Sequence, residues 1–430
     1  MKTIKRLLAG LFLLTLVAAG LAYYAGYAGE QALRQQFALN QEQARRQGYQ
    51  LELQSYQRGW LNSRARWRLE PIANIERHEG REGVKLDGLL RLTHGPLIIS
   101  PGDWQLGLFA LSAELGSDDP QAQSLWFWPL TQKLDQLQLV GRFGSHYQLQ
   151  WRLPELTLNR RGKSLRLESA QLHWRGRYDQ LAGQGQLSWA DMALREQAGP
   201  GLEVANATWD FSLAYRPDWH LEAESHFRAE RARWGGGGQL ALSFLGVESH
   251  WTQSVEQQRL HSHYQLSARE VTGAPFKVRE LDVAATLQGL PLELLERWEQ
   301  LARNRLASGQ PAFNALAWLN LADQSLREEL TLEGELRALL GEGRARADGQ
   351  ASYRGLQDGA PPQTPADWAT LVDAQLNLRL EEKSLTSTPL YWLFAEHFNQ
   401  HWQSRGGERH LTLLWRQGQL KLNPEKPASQ

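Results

Sequence analysis

The chain contains no cysteine. That absence excludes disulfide frameworks, thiolate metal sites, cysteine nucleophiles and a lipidated N-terminal cysteine. A prevailing charge is missing too: Lys plus Arg and Asp plus Glu number 47 each in 430 residues. Without Lys2, Lys5 and Arg6 at the N-terminus the remainder is slightly acidic. A nucleic-acid-binding protein carries a marked basic excess, so no nucleic-acid partner is expected. Methionine is nearly absent, with two residues, whereas tryptophan reaches 18. Tryptophan favours pleated, half-buried surfaces and boundaries between water and apolar material.

Catalytic signatures are missing as well. There is no G-x-S-x-G, P-loop or dinucleotide fingerprint, and the run Gly235 to Gly238 lacks a following Lys-Ser/Thr. Asp118-Asp119 and Glu328-Glu329 are adjacent carboxylates, which point to opposite faces of a strand and cannot form an acid–base pair there. His261 and His263 share one strand face. His397 and His401 have the helical spacing of zincins, but "HFNQH" lacks the general-base glutamate. Twelve histidines produce such pairs by chance. No catalytic residue, metal or cofactor is predicted.

Only one long apolar run exists. Leu7 to Gly29 covers 23 positions without a charge, enough at about 1.5 Å per residue to cross a hydrocarbon core of roughly 30 Å. Lys2, Lys5 and Arg6 precede it, so the positive-inside rule keeps residues 1–6 cytoplasmic and sends the rest across. Tyr23, Tyr24 and Tyr27 cluster at the far end, where an interfacial aromatic belt lies. A cleaved signal peptide is the rival reading, yet the run exceeds a usual h-region and no clean A-x-A site follows. An uncleaved signal anchor at 7–29 is expected, followed by a helical stalk at 30–47.

What fills the rest is alternation. In "SYQRGWLNSRARWRLE", Leu61, Ser63, Ala65, Trp67 and Leu69 fall on one face of a strand, and Asn62, Arg64, Arg66, Arg68 and Glu70 on the other. Period-two alternation marks a sheet with one face packed and one wet. Leu51 and Leu53 alternate before it, and Gly59 offers a turn, so a hairpin is predicted. The rhythm recurs from Ala205 to Tyr215, from His220 to Ala229, and in later runs as far as Leu420-Leu422. Between Leu167 and Leu172-Trp174 the phase flips, which requires a bulge or turn near Glu168 to Gln171. No segment between 140 and 290 has a helical period, so crossover helices are absent and the sheet is antiparallel. No exact short repeat stands out.

Helices come later. Pro291 opens "PLELLERWEQLARNRL", and Thr388-Pro389 starts "PLYWLFAEHFNQHW", both amphipathic and suited to pack on the sheet. Gly355 to Ala366 reads as a loop or boundary. The predicted class is mainly β (α+β): a large antiparallel, twisted or curled sheet after the anchor, with a few amphipathic helices packed on it. Its β-rich region spans 48–290, and a helix-plus-strand region at 291–430 completes the same domain.

A one-faced sheet must cover its apolar side with helices, a second sheet or its own curl. Left uncovered, that side becomes a site for lipid tails or a protein partner. The basic side chains Arg58, Arg64, Arg66 and Arg68 are candidates to meet phosphate head groups.

"SYQRGWLNSRA" (Ser55 to Ala65), "LTHGPL" (Leu92 to Leu97) and the terminal "WRQGQLKLN" (Trp415 to Asn423) together resemble the YdgA-like family of bacterial envelope proteins of unknown function. Pro424 stands where the family's closing strand pair leads one to expect glycine. The resemblance implies a Gram-negative inner-membrane protein, anchored once, with its bulk in the periplasm. It marks Ser55, Tyr56, Gln57, Arg58, Gly59, Trp60, His94, Gly95 and Pro96 as motif residues and brings no catalytic residue. At fold level the layout is also similar to the AsmA-like envelope proteins, linked to phospholipid movement and outer-membrane assembly. The expected function is therefore non-enzymatic binding of lipid or a partner protein along the apolar sheet face. Two alternatives stand: a periplasmic hydrolase using His94 with nearby carboxylates, and a purely structural scaffold.

Overall fold

The computed structural model describes residues 49–72, 85–95, 97–100, 103–118, 137–142, 146–160, 162–177, 182–196, 201–215, 221–235, 241–273, 276–294, 329–354, 365–386 and 401–423, with Arg297, Leu301 and isolated helical positions between 24 and 45. The chain divides into two compact units, Met1–Ala198 and Gly199–Gln430. Both are built almost wholly from antiparallel strands, and the described helices are few and short.

Unit 1 holds ten strands: β1 (Tyr49–Arg58), β2 (Asn62–Pro71), β3 (Leu86–His94), β4 (Leu97–Ser100), β5 (Asp103–Leu106), β6 (Phe109–Gly116), β7 (Leu137–Gly141), β8 (His146–Arg160), β9 (Lys163–Arg177) and β10 (Ala182–Glu196). They pair in chain order, except that β4 and β5 form a separate hairpin and β3 pairs directly with β6. β1 and β2 form the predicted hairpin, closed where the Gly59 amide donates to the Asn62 carbonyl at 2.8 Å. Ser63 and Ala65 are buried, as the alternation requires. Leu61 is the exception: it belongs to the turn rather than the strand and is 57% exposed.

Aromatic rings laid over glycines recur in this unit. A Cβ at Gly88 would stand 2.0 Å from the Trp67 ring, its cross-strand partner. The same arrangement joins Phe109 to Gly141 and Tyr147 to Gly176, while Trp174, paired with Gly185, reaches diagonally over Gly183. A glycine leaves its strand without side-chain packing, and the neighbouring ring covers the gap.

Unit 2 runs through β11 (Gly201–Tyr215), β12 (Leu221–Gly235), β13 (Leu242–Glu256), β14 (Arg259–Gly273), β15 (Phe276–Pro291), β16 (Leu330–Leu340), β17 (Gly343–Tyr353), β18 (Val372–Glu381), β19 (Gln403–Arg405), β20 (Glu408–Arg416) and β21 (Gln419–Leu422). Neighbours in sequence pair as far as β18, which pairs with β20; β19 and β21 share the other edge of β20. Tight two-residue turns set these registers. Gln257-Gln258 and Gln417-Gly418 both have positive φ at both positions, the geometry that matches strand twist. Short helices α1 (Pro365–Thr370) and α2 (Glu382–Thr386) were not anticipated from the sequence. Pro291 ends β15 rather than opening a helix; the helical turn begins at Leu292. The segment at 389–400 and Pro96 lie outside the described residues.

One irregularity repeats strand after strand. In unit 2 the ladder skips Asn206, Glu230, Gly246, Arg269 and Glu280, which lie in one row across five neighbouring strands. Asn206, Gly246 and Glu280 have φ of 49°, 61° and 50°. In unit 1 the break falls at Pro154 and Ser169, the latter with φ 51°. Proline has no amide to lose from the ladder there. The consequence is a change of pleat phase in mid-strand: Val204 and Ala207, and likewise Ala268 and Val271, are both buried although three apart. The break at Ser169 is the phase flip expected between Leu167 and Leu172.

Gly88→Val places atoms inside the Trp67 ring, so a loss of about 1–3 kcal/mol is expected from urea unfolding. Gly116→Ala is the control: the nearest atom to its Cβ is 3.9 Å away, and stability should stay within about 0.5 kcal/mol.

Candidate functional site

Two places in the fold gather the residues singled out from the sequence. The first is the apolar face of unit 2. Residues paired across an antiparallel ladder share a face, and one such row runs Trp209, Phe227, Ser249, Leu266, Val283, Leu336, Ala347, Leu378, Leu411 from β11 to β20. The next row begins at Phe211 and passes through Trp251, Tyr264, Gly334, Gly349 and Leu376 to Leu413; the third begins at Leu213 and reaches Trp415 and Leu420. No charged side chain stands in any of the three.

Among the described residues this face is closed at its two margins and open between them. At one margin Val255, Leu260, Leu290, Leu294 and Tyr353 form a buried cluster, and Trp415 Nε1 donates to the Ala369 carbonyl of α1 at 3.0 Å. At the other, Ser384 of α2 is 1% exposed and packs on Gly343. Between them Trp209, Tyr264, Leu332, Leu336 and Leu376 are each 36–48% exposed, and Leu420 is 57% exposed. A groove of about 470 Å³ follows β15 to β18 with β20 and β21, lined almost wholly by carbon. Its floor is lowered where Gly334 faces Gly349 across β16 and β17. Behind the same glycine pair a second hollow of about 470 Å³ is lined by Glu333, Glu335, Asp348, Gln350, Gln375 and Asn377. Arg337 holds Glu335 below the usual carboxylate range from 2.8 Å, and Arg346 lies 2.9 Å away. One sheet thus presents apolar and ionic surfaces on opposite sides.

The second place is the end of unit 1 where the family-motif residues converge. Ser63 and His94, both 1% exposed, are joined through Oγ and Nε2 at 2.8 Å. The His94 amide donates to the Leu61 carbonyl at 2.7 Å, tying β3 to the hairpin turn. Gly26, helical and buried, packs on the imidazole: a Cβ there would stand 3.1 Å from Nε2. Arg58 lies 5.9 Å from the Tyr27 ring and 3.7 Å from Glu30 on the same helix. Gly95 abuts the Gly107 backbone, which leaves no room for a side chain. Ser55, Tyr56 and Gln57 lie in β1; Trp60, in the turn, is 62% exposed.

Burial holds the His94 imidazole below its ordinary value, with no carboxylate contributing. Its Nδ1 has no hydrogen-bond partner among the described residues. Burial likewise pushes the Tyr56 phenol up, Ser63 acting against it, and the hydroxyl has no hydrogen-bond partner among the described residues. A general base needs access to substrate and a partner that stabilises its charge. Among the described residues His94 has no carboxylate partner, and it lines neither of the two hollows described above. The arrangement joins helix, hairpin and β3.

The arginines divide differently from the expected set. Arg58 pairs in register with Ser63 and so lies on the buried face, opposite Arg64, Arg66 and Arg68. Arg68 is held by Asp87 at 2.7 Å, which raises its already high pKa. Arg64 and Arg66 are exposed and make no ion pair among the described residues. His263 Nδ1 is 2.9 Å from Thr286 Oγ1, and no group of three metal-ligating side chains occurs among the described residues.

A family model described as bacterial protein of unknown function (DUF945) matches residues 1–388. The chain belongs to that family. No curated protein and no solved structure matches it. In this DUF945 chain the match takes in both places just described, apart from β19 to β21. Sequence reasoning found the motif residues but not their assembly. The buried Ser63 was legible in the alternation; its pairing with His94 depends on the register of β2 against β3.

Ser63→Ala leaves His94 Nε2 buried without a partner and should cost about 1–3 kcal/mol in denaturant unfolding. Because His94 binds its proton more weakly folded than unfolded, stability should be full at neutral pH. It should fall as pH drops below the unfolded value of about 6.5. His94→Leu should flatten that part of the stability–pH curve.

Proposed function

We propose that the protein is a non-enzymatic factor of the bacterial envelope, anchored once in the inner membrane by residues 7–29, with its bulk in the periplasm, and that it holds lipid acyl chains along the apolar face of unit 2. The observation that carries this reading is the open face itself: three uncharged rows across nine strands, with Leu336, Leu376 and Trp209 partly exposed. Contiguous apolar surface of that kind is costly in water and marks a binding site when it is retained. An apolar, uncharged lining suits a hydrocarbon chain and offers nothing to an ion or a nucleotide.

The anchor is supported by the charge-free run and its basic flank. Of the run, Tyr24, Gly26 and Tyr27 are described, all helical; among the described residues no helix is long and apolar enough to cross a membrane. The likeness to YdgA-like and AsmA-like envelope proteins points the same way. The buried, carboxylate-free setting of His94 counts against the hydrolase alternative.

The test is lipid content. Full-length protein extracted in mild detergent should carry phospholipid, detected by mass spectrometry after extraction into organic solvent. The double variant Leu336→Glu with Leu376→Glu should lose most of it while keeping its β-sheet circular dichroism. Lipid absent from the wild type, or undiminished in the folded variant, overturns the reading.

A further inference from the structure

The turn of the β1–β2 hairpin carries three uncharged residues, Gly59, Trp60 and Leu61. Trp60 is 62% and Leu61 57% exposed. A tryptophan and a leucine stand side by side at this hairpin tip, whereas Trp67, Phe109, Tyr147 and Trp174 of the same unit each cover a glycine. The tip does not stand alone. The Leu61 carbonyl accepts from the His94 amide, and the His94 ring lies against Gly26. The tip is therefore one residue's breadth from the end of the charge-free run Leu7 to Gly29.

The direction of the two elements agrees with this placement. The helix leaves Gly26 towards Glu30 while β1, read from its tip, leaves Arg58 towards Tyr49. Gly26 meets His94 at the level of the tip, Arg58 meets Glu30 one turn on, and Tyr56, two residues further from the tip, lies within the field of Glu30 and Arg34, so moving outward along the helix and moving away from the tip are the same direction. Tyr24 and Tyr27 are 66% and 49% exposed beside the tip. Exposed tyrosine, tryptophan and leucine, backed by Arg64 and Arg66 on the outer face of β2, have the composition of a membrane interface: rings at head-group depth and guanidinium groups at the phosphates.

We propose that the Trp60–Leu61 hairpin tip lies in the outer interface of the same membrane that the N-terminal helix crosses, as a second point of contact beside the anchor. The proposal rests on the anchor reading given above. Two contacts remove the freedom of unit 1 to swing about a single helix. The Ser63–His94 bond and the Gly26 contact keep the tip and helix at a common level.

The chain's lack of cysteine makes the test direct. Single variants Trp60→Cys, Leu14→Cys and Glu52→Cys of the full-length protein are labelled with an environment-sensitive fluorophore and reconstituted into phosphatidylglycerol–phosphatidylethanolamine vesicles. Depth is read from quenching by lipids brominated along their acyl chains. The label at position 60 should be blue-shifted and quenched, that at 14 quenched more strongly, and that at 52, about six residues or 20 Å up β1, not quenched. Quenching at 14 without quenching at 60, or equal quenching at 60 and 52, overturns the proposal and leaves the anchor standing. No quenching at 14 overturns the anchor itself. Denaturant unfolding of each variant in detergent confirms that the label reports on folded protein.

Discussion

The cross-strand ladder is the constraint on which everything else depends. Strands of 15 residues, each about 50 Å long, follow one another from β8 to β10 in unit 1 and from β11 to β14 in unit 2, and within each unit their backbones pair with neighbouring strands. The side chains are left free to divide between two faces. That division produces the uncharged rows of unit 2 and the ion pairs behind them, such as Arg228 with Asp210 at 3.1 Å and Lys277 with Glu270 at 2.7 Å. Such exposed pairs contribute little stability individually. Their effect is to fix which side faces water.

Much of this is legible in the sequence alone. Period-two alternation sufficed for antiparallel sheet, and Gly59 and Gly418 marked two of the turns. The turn at Gln257-Gln258 was harder to read because it has positive φ without a glycine. The division into compact units at Ala198 is a matter of long-range pairing, on which local pattern is silent. The face of Arg58 depends on pairing rather than on spacing: it belongs to β1 and takes its face from its pairing with Ser63, opposite Arg64.

The ladder breaks also have a signature that simple alternation hides. "LPEL" at 153–156, "LESA" at 167–170, "VANA" at 204–207, "FLGV" at 244–247 and "AREV" at 268–271 each set two apolar residues three apart in the middle of a strand. A search for strict period two reads these as noise. They are the closest thing in the chain to a repeat, and they recur because a row of breaks is useful only if neighbouring strands share it. At the motif end the legible part was chemical identity, and the illegible part was proximity: nothing local to "LTHGPL" reveals that its histidine meets Ser63 and Gly26.

The mid-strand breaks divide each long strand into two halves whose side-chain phase is set separately. A single-residue deletion in an uninterrupted strand inverts every position beyond it. Here the unpaired residue at the break is a joint that can be gained or lost, so an error in one half is absorbed before it reaches the other. Long one-faced strands are thereby made tolerant of length changes that a plain ladder would transmit from end to end.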